Sequence, residues 1–408
     1  MINKDYLILR ELGNRIREIS EMPVQAEKRA LWTANNDLKD ARPMVYMDQL
    51  PWHEISKSEE MQLVCEDEFL RSVEYSLRQL LYRWNHFPCD MVIEKRVEVP
   101  MSIHGLNYGI RIDEKILKTD EANEIVSHQY SDQIQDYGQL DALYEDEILV
   151  DTELDNRHLE ICSDIFGDIL PCRLLGETMH LGVWDRIAQM KPAESFLIDM
   201  MDKPEFIEAI VKKFAALTAS TVDQCEKLGI LDPELSYIHC TGAYTDDLPK
   251  AEKGKATAKN VWAFGMAQIF STVSPAMHEV YEIEPLKQLF ERFGLIYYGC
   301  CEPLHSKIDI IRKIKNIRKI SVSPWADPNI SAEKMAGDYV LSYKPHPAYI
   351  ANGSLSFDIA QNDIKTAVKA ARDNNTPIEI ILKDVSTVSY KLQVLDEWEK
   401  MAMACALA

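Results

Sequence analysis

Residues 295–343 read LIYYGCCEPLHSKIDIIRKIKNIRKISVSPWADPNISAEKMAGDYVLSY. The apolar runs at Leu295–Tyr298, Lys319–Ser323 and Tyr339–Tyr343 have the length of buried strands, and the segment 306–314 carries helical spacing. The pattern continues on both sides. Upstream lie strand-like runs at Leu235–His239 and Ala267–Thr272 and a helix over 285–293; downstream lie a helix over 358–373, opened by Asp358, and a run at Ile378–Leu382. Six strands separated by helices or linking segments predict right-handed crossovers and a parallel sheet. Met44–Met47 and a run near Ile169–Leu174 raise the count to eight, which is the number that closes a (β/α)8 TIM barrel. No G-x-G-x-x-G or Walker-type loop occurs, so the usual nucleotide loop of an open doubly wound sheet is missing.

Outside this region, Leu9, Leu12, Ile16 and Ile19 form one stripe of an amphipathic helix, and a second helix holds Leu31 and Trp32. Residues 1–40 are therefore expected as an N-terminal helical extension, and 41–408 as the barrel with an insertion around 90–157. A helix is expected from about Ser58 to Trp84. Over about 90–113, Val92, Glu94, Arg96, Val97 and Val99 alternate as in a partly exposed β-hairpin. A helix from Pro204 carries Ile207, Ile210, Val211, Phe214 and Leu217 on one face and ends near Gly229. The last helix places Leu392, Leu395, Trp398 and Met401 on one side.

The 408 residues include 66 acidic and 45 basic side chains, a net charge of −21. Such a surface repels phosphate backbones, which argues against a nucleic-acid partner. No apolar run approaches the length of a membrane span, and charges begin at Lys4 without a signal segment. The nine cysteines follow no framework spacing; they read as reduced thiols in a cytoplasmic protein.

In a barrel, catalytic groups follow the strands. The polar residues after each run are Asp48, Gln49, His53 and Glu54; Arg173, Glu177 and His180; His239, Cys240, Tyr244, Asp246 and Asp247; Ser274 and His278; Cys300, Cys301 and Glu302; Ser323, Trp325 and Asp327; Lys344 and His346; and Asp384. Cys300, Cys301, Glu302, His239 and His346 offer thiolate, carboxylate and imidazole donors suited to Zn2+. The alternative is that one cysteine packs as a small hydrophobe and that the histidines are hydrogen-bonded loop residues. Asp48, His278 and Lys344 are candidates to stabilise charge, and Tyr298 to donate a hydrogen bond to a developing oxyanion. Arg173, Tyr244, Asp246 and Trp325 are candidate substrate contacts. No GxSxG elbow, HExxH helix or paired CxxC occurs.

The segment from Gly176 through Leu217, with Glu194-Ser195-Phe196-Leu197-Ile198-Asp199-Met200-Met201-Asp202-Lys203-Pro204-Glu205, resembles the uroporphyrinogen-decarboxylase-like superfamily, and Pro43–Gln49 resembles that family's first strand. The resemblance implies a barrel. It also implies an arginine-rich first loop for substrate propionates, where this chain has Asp48; Asp90 matches the family's central aspartate. The corrinoid-dependent methyltransferase branch implies a strand-end His-x-Cys zinc pair. Here Cys300 stands for the cysteine and Tyr298 for the histidine, and the branch's last zinc cysteine falls near Lys344–His346, so His346, Glu302 or His239 would complete the site. Methyl transfer between a small methylated, possibly methoxylated, compound and the corrinoid of a separate protein is the expected function. A cofactor-independent decarboxylase or lyase of a small acid is the alternative.

Overall fold

The computed structural model describes residues 4–107, 111–118, 126–252 and 255–408. The chain start at Met1–Asn3, residues 108–110 of the expected hairpin and residues 119–125 of the expected insertion lie outside the described residues. The fold is mixed α/β. Its main sheet contains β1 (Met44–Met47), β2 (His180–Leu181), β3 (Trp262–Gly265), β4 (Leu295–Tyr298), β5 (Ile317–Val322), β6 (Val340–Tyr343) and β7 (Ile378–Leu382). Seven strands lie in the order β1-β7-β6-β5-β4-β3-β2, and every pairing is parallel. From β3 onward each strand is followed by helix, as parallel neighbours require. These helices include Glu284–Phe290, Ile308–Ile311, Pro328–Met335, Phe357–Asp373 and Gln393–Leu407.

Three expected strands come out differently. Ala267–Thr272 is no strand: Gln268–Phe270 forms a 3-10 turn, and the strand is Trp262–Gly265. Phe270 serves packing instead, its ring 4.5 Å from Trp184. The run near Ile169–Leu174 becomes Cys172–Leu175, which pairs in parallel with Val97–Pro100 in a separate two-stranded sheet. That pairing replaces the hairpin expected over 90–113, and β2 takes the place in the main sheet. Leu235–His239 shortens to Tyr237–Ile238, which turns back through His239 and Cys240 to pair with Thr241–Gly242. Among the described residues, no hydrogen-bonded ladder joins β1 to β2, so the eighth, closing strand is not seen.

The sheet nevertheless curls. Tyr46 of β1 stacks on Tyr237 at 5.2 Å, and Phe264 of β3 stacks on His239 at 3.9 Å, so both ends of the sheet reach one small hairpin. Alternation divides the core between the two faces. Val45, Ala263, Ile296, Tyr298, Ile320 and Ile380 pack under the outer helices with Phe214, Leu286, Ile364 and Trp398. Met44, Tyr46, Phe264, Tyr297 and Ile381 face the opposite side, in one cluster with Leu9, Ile16 and Trp32 of the N-terminal helices Lys4–Ser20 and Pro23–Asn36.

One helical irregularity has a covalent origin. Pro285 has no N–H for the Tyr281 carbonyl, and the turn before it, Glu279–Ile283, widens to π geometry. The freed carbonyl accepts from Trp184 Nε1 at 2.9 Å. Close packing also sets Gly265: a Cβ there would lie 2.4 Å from the Phe290 ring.

Candidate functional site

The loops after β1, β4 and β7 and the turn of the 237–242 hairpin meet at the C-terminal ends of the strands. Three non-glycine residues there, Gln49, His239 and Asp384, hold φ of 49°, 54° and 57°. Such left-handed backbone persists only where surrounding structure enforces it, and it concentrates at functional sites. At His239 the enforcing element is the two-residue hairpin loop, whose twist demands positive φ.

Cys300 is carried by Gly299, which turns with φ of 92°. The Cys300 N–H donates to Glu302 Oε2 at 2.9 Å, and its carbonyl accepts from Ser321 Oγ at 2.8 Å. With the backbone tied on both sides, the sulfur position is set. Lys383 Nζ lies 3.0 Å from Cys300 Sγ and 3.5 Å from His239 Nε2, and His239 Nε2 lies 3.8 Å from the same sulfur. The Cys301 Sγ is 3.5 Å from Cys300 Sγ and 3.5 Å from Asp384 Oδ2.

These contacts have a consistent electrostatic reading. A buried ammonium requires an anion, and Lys383 is only 3% exposed. The Cys300 thiol is pushed down, first by the hydrogen bond from Cys301 and then, against burial, by His239 and Lys383. The Cys301 thiol moves up because it donates to that neighbour. Burial works against the Lys383 ammonium, but Cys300, Cys240, Asp384 and Cys301 together outweigh it and raise its pKa. The arrangement is therefore an ammonium shared by the Cys300 sulfur, at 3.0 Å, and Asp384 Oδ2, also at 3.0 Å, with an imidazole beside it. Asp48 adjoins it through its N–H, which donates to Leu382 O at 2.9 Å. Burial raises the Asp48 carboxyl above the usual carboxylate range, although Arg83 Nη1 stands 3.9 Å away.

A second polar layer lies on the same face of the strands. Lys319 Nζ donates to Glu379 Oε2 at 2.7 Å, to Thr241 Oγ1 at 3.1 Å and to Gly242 O at 2.9 Å. Ser342 donates to the other Glu379 oxygen, and Lys344 donates to Ser342 with its ammonium 5.2 Å over the Tyr297 ring. Burial lowers both lysines, while Lys319 and Lys344 overcome burial to hold Glu379 below the usual range.

The other expected site residues lie apart from this cluster. Tyr298 points to the opposite face from Tyr297; its hydroxyl donates to Glu282 at 2.5 Å and contacts His278 Nε2 at 2.9 Å, under the helices. Arg173 is held by Asp232 and Glu98 in the outlying sheet. Tyr244 donates to Glu94 at 2.6 Å. Asp246 is exposed, and Trp325, 65% exposed, packs on His346. Asp90 accepts from Arg42 and from the Val45 N–H at 2.8 Å, which ties β1 in place.

Among the described residues, no group of three or more His, Cys, Asp and Glu side chains is arranged to hold a metal ion. Cys300, Cys301 and His239 do come together. However, Glu302 gives its oxygens to the N–H groups of Cys300 and Ala267, and His346 Nδ1 accepts from the Ala348 N–H. The cation at the sulfur is Lys383. These residues as placed do not fit a zinc centre.

Sequence reading missed Lys383 and Glu379. Strands buried on both faces are normally continuous apolar runs, so charges inside Ile317–Val322 and Ile378–Leu382, and one directly after Leu382, were the available signal. A cavity of about 630 Å³ opens at the other end of the sheet, beside Pro43 and Ile378. It is remote from this chemistry.

No protein-family profile and no curated protein matches the chain. Among solved structures, a methyltransferase from Methanosarcina mazei is similar with a TM-score of 0.48 and 9% identity, over 93% of this chain and 98% of that one. Among the described residues, no helix is long and apolar enough to cross a membrane.

Proposed function

We propose that this protein is an enzyme of small-molecule methyl transfer, related in plan to the corrinoid-dependent methyltransferases of the uroporphyrinogen-decarboxylase-like superfamily. The seven parallel strands and the hairpin between their ends are read as a barrel whose mouth is the Cys300 site. The observation that carries the reading is the pair of Cys300 and Lys383, 3.0 Å apart at that mouth. A thiolate is a soft nucleophile matched to displacement at a methyl carbon. As its S–C bond forms, the bond from carbon to the leaving oxygen or nitrogen breaks. The leaving atom takes a proton from Asp48, which burial keeps towards its acid form. A corrinoid held by a separate protein, docked over the strand ends, would be the second methyl carrier.

The test needs no partner. A panel of small methoxylated and N-methylated compounds is incubated with the protein, and methylated peptides are sought by mass spectrometry. Methyl on Cys300, absent from Cys300→Ser, is expected. No methyl on Cys300 with any donor, alongside full turnover by Cys300→Ser, would sink the reading.

The half-buried carboxyl of Asp48, on the loop bonded to Leu382 just before Lys383, supports a second reading, a cofactor-independent decarboxylase. There the ammonium would hold a substrate carboxylate and Asp48 would protonate the carbon that loses CO2. Release of CO2 from small acids by both wild type and Cys300→Ser would favour it.

A further inference from the structure

Neighbouring residues on a strand point to opposite faces, yet the sulfurs of Cys300 and Cys301 lie 3.5 Å apart on the same side. The strand has ended at Tyr298, and the left-handed Gly299 swings both thiols towards the Lys383–Asp384 loop. We propose that Cys300 and Cys301 form a modification site in which hydrogen peroxide converts the two thiols to a reversible disulfide between adjacent residues.

The surroundings divide the labour. Cys300 has Lys383 at 3.0 Å and His239 at 3.8 Å, cationic and polar groups that favour its thiolate and the departure of hydroxide. Cys301 has a carboxylate, Asp384 Oδ2, at 3.5 Å as proton acceptor. Asp384, with its side chain 47% exposed, opens this edge to solvent and so to peroxide. First, the Cys300 sulfur attacks one peroxide oxygen. The S–O bond forms, the O–O bond breaks, and the departing hydroxide takes a proton from Lys383 to become water. Next, Cys301 gives its proton to Asp384 as its sulfur attacks Cys300 Sγ. The S–S bond forms, the S–O bond breaks, and the second hydroxide recovers that proton as water. The two thiols lose two electrons and two protons, and the peroxide becomes two waters.

Reversibility follows from geometry. Adjacent Cα atoms are about 3.8 Å apart, below the roughly 4.4–6.8 Å of ordinary disulfides. The bond is therefore strained and easily reduced. This site does not depend on the methyl-transfer reading, since its readout is the mass of one peptide.

The full-length protein is treated with hydrogen peroxide, blocked with N-ethylmaleimide, digested and weighed. The peptide holding both residues should lose about 2 Da and carry no maleimide, and dithiothreitol before blocking should restore two adducts. In Cys301→Ser the reaction should stop at a sulfenic acid on Cys300, trapped by dimedone; Cys300→Ser should give no such adduct. Three results would overturn the proposal: sulfinic acid on wild-type Cys300 without the internal link, a disulfide to another cysteine such as Cys172, or an unchanged wild-type peptide at peroxide levels that oxidise Cys301→Ser.

Discussion

Lys383 and Cys300 stand 83 residues apart in sequence and follow strands that are not neighbours, yet their Nζ and Sγ atoms lie 3.0 Å apart. β4 and β7 are separated by β5 and β6. In a flat sheet three strand spacings would hold their ends roughly 14 Å apart. Curling of the sheet around the 237–242 hairpin brings the two loops together, while Asp48 arrives by the direct pairing of β1 with β7.

The first prediction concerns this pair. Lys383→Met removes the ammonium and leaves the sulfur buried, so the Cys300 thiol pKa should rise. The midpoint of the rate–pH profile for alkylation of Cys300 by iodoacetamide should move up by about one unit or more, with the thiolate fraction below that midpoint falling tenfold per unit. A rate–pH profile with an unmoved midpoint would show that Lys383 does not hold the thiolate.

Zinc offers a second check. With Lys383 at the sulfur and Glu302 bound to backbone N–H groups, protein purified without chelator should contain well under one zinc per chain. Lys383→Met, which vacates that position, should bind more. Stoichiometric zinc in the wild type, by elemental analysis, would contradict the geometry.

The buried Lys319–Glu379 pair is entirely inaccessible to solvent. Loss of one partner strands the other charge, so Lys319→Met should destabilise the protein by about 3–5 kcal/mol in urea unfolding. The double change Lys319→Met with Glu379→Met should recover part of that loss, because the pair's desolvation cost disappears with it while the buried Lys344 loses the same carboxylate. A double variant as weak as the sum of the single ones would refute this coupling.

Asp185 sets a pH dependence of stability. Burial, then the nearby Glu302 carboxylate, raises its pKa to about 8, while its Oδ1 accepts from the Ile269 N–H at 3.3 Å. An unfolded aspartate titrates near 4, at about 3.9. Between these values the folded state binds the extra proton, so this contribution is full below about pH 4 and is lost as pH rises through about 8. Asp185→Asn should flatten that slope and gain more than about 1 kcal/mol relative to wild type at pH 8 compared with pH 5. Parallel stability curves for the two proteins would count against the assignment.

Much of the sheet was legible from local pattern. Met44–Met47, Leu295–Tyr298 and Ile378–Leu382 are strands with the bounds read from the sequence, and Pro204–Leu228 is the helix its apolar stripe announces. These segments are apolar runs or stripes whose period is a property of the chain itself. Trp262–Gly265 escaped notice because Ile269 and Phe270 made an equally apolar run a few residues later, and only packing against Trp184 decided which became strand. At the site, Cys300, Cys301, His239 and Asp48 were named from their places after strands. Which of them meet, and that Lys383 stands at the sulfur, depended on how far the sheet bends. The amino-acid order determines periodicity, and through it strands, helices and the side each residue faces. The contact between two loops three strands apart belongs to the curvature of the assembled sheet, which arises from twist and from the hairpin packed between its ends.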